Sequence, residues 1–153
     1  MKKPRIFLGC DHAGFELKED IKKFLEKQGF DYEDLGVNDN SNSYDYPATA
    51  LEVAKKAVKH KGMGILMCGT GIGESIVANK VKGIRAANCF NEYTAQMSRE
   101  HNNSNVLCLG ARVLDKDSAK KIAKIWLETE FSKEARHRRR VRQISEIENQ
   151  VCR

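Results

Sequence analysis

The stretch "MCGTGIGES", residues 67–75, sets Cys68 and Glu74 around three glycines, Gly69, Gly71 and Gly73, directly after an apolar run and before a helical one. Alternating glycines free the backbone to take positive φ and let successive N–H groups converge, so such a turn can cradle a phosphate or an oxyanion. It can equally be a tight strand-to-helix turn with no chemistry of its own. Two better-known phosphate loops are excluded. A P-loop ends in Gly-Lys-Ser/Thr, whereas Gly73 is followed by the acidic Glu74. The dinucleotide fingerprint is G-x-G-x-x-G in the first βα turn, but this loop reads G-x-G-x-G in the third, and the first turn, "GCDHAGFE", lacks the middle glycine. A nicotinamide dinucleotide is therefore not expected.

The elements that must position this loop are legible as a pattern. Apolar, β-branched-rich stretches recur at 5–10, 30–36, 63–68, 84–89 and 105–110. Helical periodicities separate them: 15–28 with Leu17, Ile21, Phe24 and Leu25 on one face, and 48–60 with Ala50, Leu51, Ala54 and Val58 together behind Pro47. Segments 73–82, 91–101 and 117–131 read likewise, the last with Asp115 or Asp117 as cap and Ile122, Ile125 and Trp126 inward. Strand and helix alternating over the whole length predict βαβ units, hence an α/β fold with a parallel sheet and helices on both faces.

Such sheets bind ligands outside the carboxyl ends of their strands. After the first strand stand Asp11 and His12, after the second Asp45 and Tyr46, after the third Cys68 and the glycine loop, and after the fifth Arg112. His101 and Asn102 end the helix leading into the fifth strand, nearer the opposite edge, where a neighbouring subunit would have to bring them to the site.

Composition bounds the rest. The chain has 153 residues, 41% of them hydrophobic and 31% charged, which suits one domain over 1–153 with a proper core. No run approaches a membrane span, and "MKKPRIFLGCDH" turns polar too early for a signal peptide, so a cytoplasmic location is expected. Five cysteines, none spaced C-x-x-C, argue for reduced thiols and against a disulfide framework or a zinc cluster. The net charge is +6, of which residues 131–153, with seven Lys/Arg and three Glu, carry +4; the basic helical segment 132–153 could be a nucleic-acid arm or a solvated tail. No aromatic residues interleave its arginines, so nucleic acid is not the expected partner.

"GCDHAGFELKEDIKKFL", "DYP", "MCGTGIGESIVANKVKGIRAA", "MSREHNNSNVLCLGARV" and "RHRRRVRQISEIE", in this order, resemble the type B ribose-5-phosphate isomerases and the related galactose-6-phosphate isomerase subunits, from about residue 5 to residue 148. The resemblance implies a five-stranded, Rossmann-like three-layer sandwich, and a homodimer or dimer of dimers with shared active sites. It also implies interconversion of a phosphorylated aldose and its ketose through an enediolate, with no metal or organic cofactor. The leading substrate pair is ribose 5-phosphate and ribulose 5-phosphate, of the pentose phosphate pathway, with galactose 6-phosphate or allose 6-phosphate as the six-carbon alternative. Residue by residue, Cys68 matches the family's base, and the amides of Gly69, Thr70, Gly71, Ile72 and Gly73 match the hole that holds the enediolate oxyanion. His101 matches the ring-opening residue and Asn102 a ligand of a sugar hydroxyl. Asp11 and His12 match a pair holding hydroxyls and the phosphate end, and Tyr46 lines the pocket. Arg112, Arg136 and Arg140 match the phosphate clamp, for which the planar guanidinium fork is suited.

Taken without the resemblance, each residue keeps a plainer reading. Cys68 could be a small buried hydrophobe, His101 a solvated helix end, Asp11 a cap and Tyr46 core packing. The family splits at this loop, because one branch has the cysteine with an apolar residue where Glu74 stands, while another lacks the cysteine and uses a glutamate there. A helix N-terminus is expected to lower the thiol pKa towards neutrality and to carry a carboxylate away from it, so Cys68 is the expected base, with Glu74 orienting it or capping the helix.

Overall fold

Runs of apolar residues with no polar alternation belong to strands covered on both faces. Three such runs form the middle of the sheet in a computed structural model that describes residues 3–151. They are β1 (Ile6–Cys10), β3 (Met63–Cys68) and β5 (Val106–Gly110), flanked by the short β2 (Tyr32–Asp34) and β4 (Ala86–Asn88). All neighbours are parallel, in the order β2-β1-β3-β5-β4, and the register aligns Cys10 with Met67 and Cys68 with Gly110. The edge strands are shorter than the apolar runs 30–36 and 84–89 suggest, because only one neighbour offers them partners.

The strands' alternation splits the core in two. Ile6, Leu8, Ile65, Met67, Leu107 and Leu109 face α1 (Phe15–Lys27) and α5 (Lys116–Glu128), meeting Leu17, Ile21, Leu25, Ile122 and Trp126. Phe7, Leu66, Val106 and Cys108 face the other way, towards α2 (Tyr46–Lys59) and α3 (Ile72–Ala78). α4 (Glu92–Glu100) joins the first layer through Ala95, and α6 (Ala135–Val151) follows α5. The fold is thus the α/β three-layer sandwich that the alternation predicts, with Asp115 as the cap of α5, its side chain accepting from the amides of Asp117 and Ser118.

One helix face differs from expectation. Ala50 and Ala54 of α2 meet the sheet, but Leu51 and Val58 are 37% and 40% exposed, and Val53 and Ala57 take their places. The cause lies in the strands beneath. A Cβ at Gly9 would stand 2.8 Å from both Thr49 and Val53, and one at Gly64 would stand 2.9 Å from Val53, so the helix lies too close to the sheet to bury a leucine. Sequence periodicity also gives no sign of Lys18, which is 1% exposed and donates to Asp34 at 2.7 Å and to the Val37 carbonyl at 2.8 Å, tying α1 to the edge strand. Among the described residues no helix is long and apolar enough to cross a membrane.

Candidate active site

Strand order reverses between β1 and β3, and the crevice beyond the carboxyl ends at such a switch point is where doubly wound sheets bind ligands. Asp11 and Cys68 flank it. The Asp11 carboxylate accepts from the amides of Ala13 at 2.9 Å and Gly14 at 3.0 Å, closing the turn into α1. That turn presses on β3, since a Cβ at Gly14 would lie 1.8 Å from the Met67 carbonyl oxygen. His12 Nδ1 accepts from the Tyr44 amide at 3.1 Å, which makes it the unprotonated nitrogen and leaves Nε2 to donate. Tyr46, the first residue of α2, lays its ring over Gly73, where a Cβ would be 2.4 Å from Cζ.

The glycine loop closes around the sulfur. Gly71 adopts φ +78°, a conformation L side chains rarely take, and its N–H points at Cys68 Sγ at 3.1 Å. The Ile72 amide donates to Thr70 Oγ1 at 3.3 Å. Two of the five amides expected to form the oxyanion hole are therefore already engaged. β5 backs the loop: Ala111 donates to the Cys68 carbonyl at 2.8 Å and Arg112 to that of Gly69 at 2.9 Å, which brings the Arg112 guanidinium over the loop. Asn88, at the end of β4, donates its amide to the Thr70 carbonyl at 3.3 Å and crowds Gly71. Its position at the carboxyl end of the fourth strand is the signal that would have found it.

Two expectations about electrostatics are corrected. Burial pushes the Cys68 thiol above its usual range, with the Glu74 charge acting in the same direction, while the Thr70 and Gly71 amides pull the other way. The helix behind the loop, α3, has only seven residues, and its field does not outweigh the loss of water around a side chain that is 4% exposed. Glu74 does not cap the helix. It is fully buried, and neither carboxyl oxygen has a hydrogen-bond partner among the described residues. Burial, then the nearby Asp11 charge, raises its pKa to about 9.

His101, Asn102, Arg136 and Arg140 lie elsewhere. His101 is the C-cap of α4, and the Asn102 carbonyl accepts from Arg85, just ahead of β4. These residues sit at the amino ends of the strands, and at ~3.3 Å per residue the length of β5 puts them roughly 15 Å from Cys68. α6 packs there: His137 is buried, its ring centroid 4.1 Å from that of His101, and its Nδ1 has no partner among the described residues. Arg136 is exposed and paired with Glu134 at 2.8 Å, and Arg140 is exposed one turn on. The candidate residues of one chain thus fall into two groups at opposite ends of its sheet.

This fold is shared with known proteins. The ribose/galactose isomerase family profile matches residues 6–144. Ribose-5-phosphate isomerase B of Escherichia coli is 44% identical over 145 residues, 94% of this chain and 96% of that protein. D-erythrulose-4-phosphate isomerase of Pectobacterium atrosepticum is 44% identical over 128 residues, covering 82% of this chain and 84% of the relative. The solved ribose-5-phosphate isomerase B of Clostridium thermocellum superposes with a TM-score of 0.91 at 48% identity, covering 95% of this chain and 98% of that one. The chain belongs to the ribose/galactose isomerase family and is a sugar-phosphate isomerase.

Proposed function

We propose that this enzyme interconverts ribose 5-phosphate and ribulose 5-phosphate through an enediolate, without metal or organic cofactor, in the cytoplasm. The observation that carries this reading is the Cys68 sulfur at the switch point, with the Gly71 N–H on it. A base in this place takes the C2 proton of the open-chain aldose and returns it to C1. The enediolate charge meets the loop amides, where fixed donors stabilise it best. Asp11, His12 and Tyr46 surround the sugar.

The second half-site belongs to a second copy of the chain. His101 would open the furanose ring, Asn102 hold a hydroxyl, and Arg136 and Arg140 join Arg112 on the phosphate. A homodimer, or a dimer of dimers, is supported by α6, which leaves Ile144, Ile147 and Val151 exposed beside a groove of about 450 Å3 that includes Ile84.

The test is ketose formation from ribose 5-phosphate, allose 6-phosphate and galactose 6-phosphate, and aldose formation from erythrulose 4-phosphate, each with and without a chelator. Fastest turnover on ribose 5-phosphate, unchanged by the chelator, is expected. Loss of activity with the chelator, or a preference for another sugar, overturns the corresponding part of the reading.

A further inference from the structure

Glu74 poses a problem of its own. A fully buried carboxyl with no protein donor among the described residues is costly to ionise, and native proteins rarely leave one so. The groups around it are Cys68 at the end of β3, Asp11 and Cys10 from β1, and Cys108 from β5. Tyr46 covers the neighbouring Gly73 and Arg112 lies over Gly69, but neither is a donor to the carboxyl. Asp11 already spends one oxygen on two backbone amides. The one side chain that Glu74 faces with an exchangeable proton and a reactive role is the Cys68 thiol. The two are close enough to couple, although neither carboxyl oxygen completes a hydrogen bond in this geometry.

The donors are distributed unequally between the two. The Gly71 N–H converges on sulfur and the Thr70 N–H leans the same way, while none reaches the carboxyl. When the pair has lost one of its two protons, the negative charge is therefore better accommodated on sulfur, and the remaining proton stays on the carboxyl. From its arrangement we infer that Glu74 is a positioning residue for Cys68: a buried, neutral carboxylic acid that donates its O–H to the thiolate, so that the two side chains titrate as one unit. The raised pKa of Glu74 agrees with a carboxyl kept neutral at physiological pH. The step balances simply: the thiol proton leaves to solvent, Sγ becomes the thiolate, and the Glu74 proton moves into a hydrogen bond with it. Loss of that second proton puts two like charges side by side and is pushed to high pH.

This inference deepens the proposed role of Cys68 as base, and its test does not depend on turnover. The rate of Cys68 alkylation by iodoacetamide, followed peptide by peptide by mass spectrometry, reports thiolate formation as pH is raised. The wild type should show two inflections, the second from the carboxyl. Glu74→Gln, which keeps a neutral donor, should show one, with the first inflection unmoved. Glu74→Leu, which keeps the volume but offers no donor, should move the first inflection up by about one unit, a roughly tenfold loss of thiolate at neutral pH. Three superposable curves would reduce Glu74 to filler and overturn the inference. So would a Glu74→Gln variant that loses turnover while its alkylation profile stays like that of the wild type, because Glu74 would then be the base itself. A chain that turns over no sugar phosphate but gives the predicted alkylation curves would sink the proposed function and leave this inference standing.

Discussion

The ring of Tyr46 occupies the space into which any side chain at position 73 would grow: a Cβ there would stand 2.4 Å from Cζ and 2.6 Å from Oη. Gly73→Ala must displace either the tyrosine from the crevice or the first turn of α3 from the loop. Overpacking of this kind costs about 1–3 kcal/mol. The expected outcome is a protein still folded by circular dichroism, with a lower melting temperature and at least ~10-fold lower kcat/KM. Wild-type kinetics in this variant would show that Tyr46 has no part in the pocket.

Because the residues proposed for the two halves of the site lie at opposite ends of one sheet, complementation between inactive subunits is expected. Cys68→Ala should lower kcat by about 10²–10⁴, the usual scale for a lost general base. His101→Asn should impair conversion of ribose 5-phosphate severely, through lost ring opening. Unfolded together and refolded, the two variants form mixed dimers in which one site carries both lesions and the other neither. Random pairing then restores about one quarter of wild-type activity if the dimer is isologous. No recovery in verified mixed dimers would place each complete site within a single chain.

Arg136 and Arg140 share one face of α6, and Arg136 is held only by the exposed Glu134. The phosphate contacts proposed for them would persist in substrate and transition state alike, so their loss acts on binding. Each Arg→Ala variant should raise KM by roughly 10–100-fold, the scale of a charge-assisted hydrogen bond, with kcat nearly unchanged. Unchanged kinetics combined with a lost, steeply salt-dependent affinity for DNA would instead identify a nucleic-acid arm.

Glu74 also sets a dependence of stability on pH. Its folded pKa, about 9, is raised above the ordinary 4.5, so between those values the unfolded chain has released a proton that the native state still holds. Stability should therefore fall as pH rises through that window. Glu74→Gln removes the effect. Thermal melts should show the variant at least ~3 °C more stable than the wild type at pH 8 and equal to it at pH 4. An equal difference at both values would mean that the carboxyl is already ionised in the folded protein.

The strands that carry the site announced themselves as apolar runs, and the glycine loop is visible by spacing alone. What stayed hidden depends on contacts distant in the chain. Leu51 and Val58 look inward until Gly9 and Gly64 bring α2 too close for them. Lys18 reads as a solvated helix residue, yet it finds Asp34 sixteen positions away and is buried. The local sequence points the Cys68 shift downwards because a helix terminus is a local feature, whereas the burial that raises it and the position of Glu74 come from packing. His137 stands within a run of arginines, and its packing on His101 follows only from where α6 lies.

The separation of Cys68 from His101 along β5 bears on heredity as well as chemistry. In the proposed dimer, after a gene duplication, one copy could lose the thiol end and the other the histidine end, and the pair would still assemble one complete catalytic centre at their common boundary. Each damaged copy would then be preserved by its dependence on the other. A homomeric enzyme built in this way is one duplication and two losses removed from an obligate heteromer.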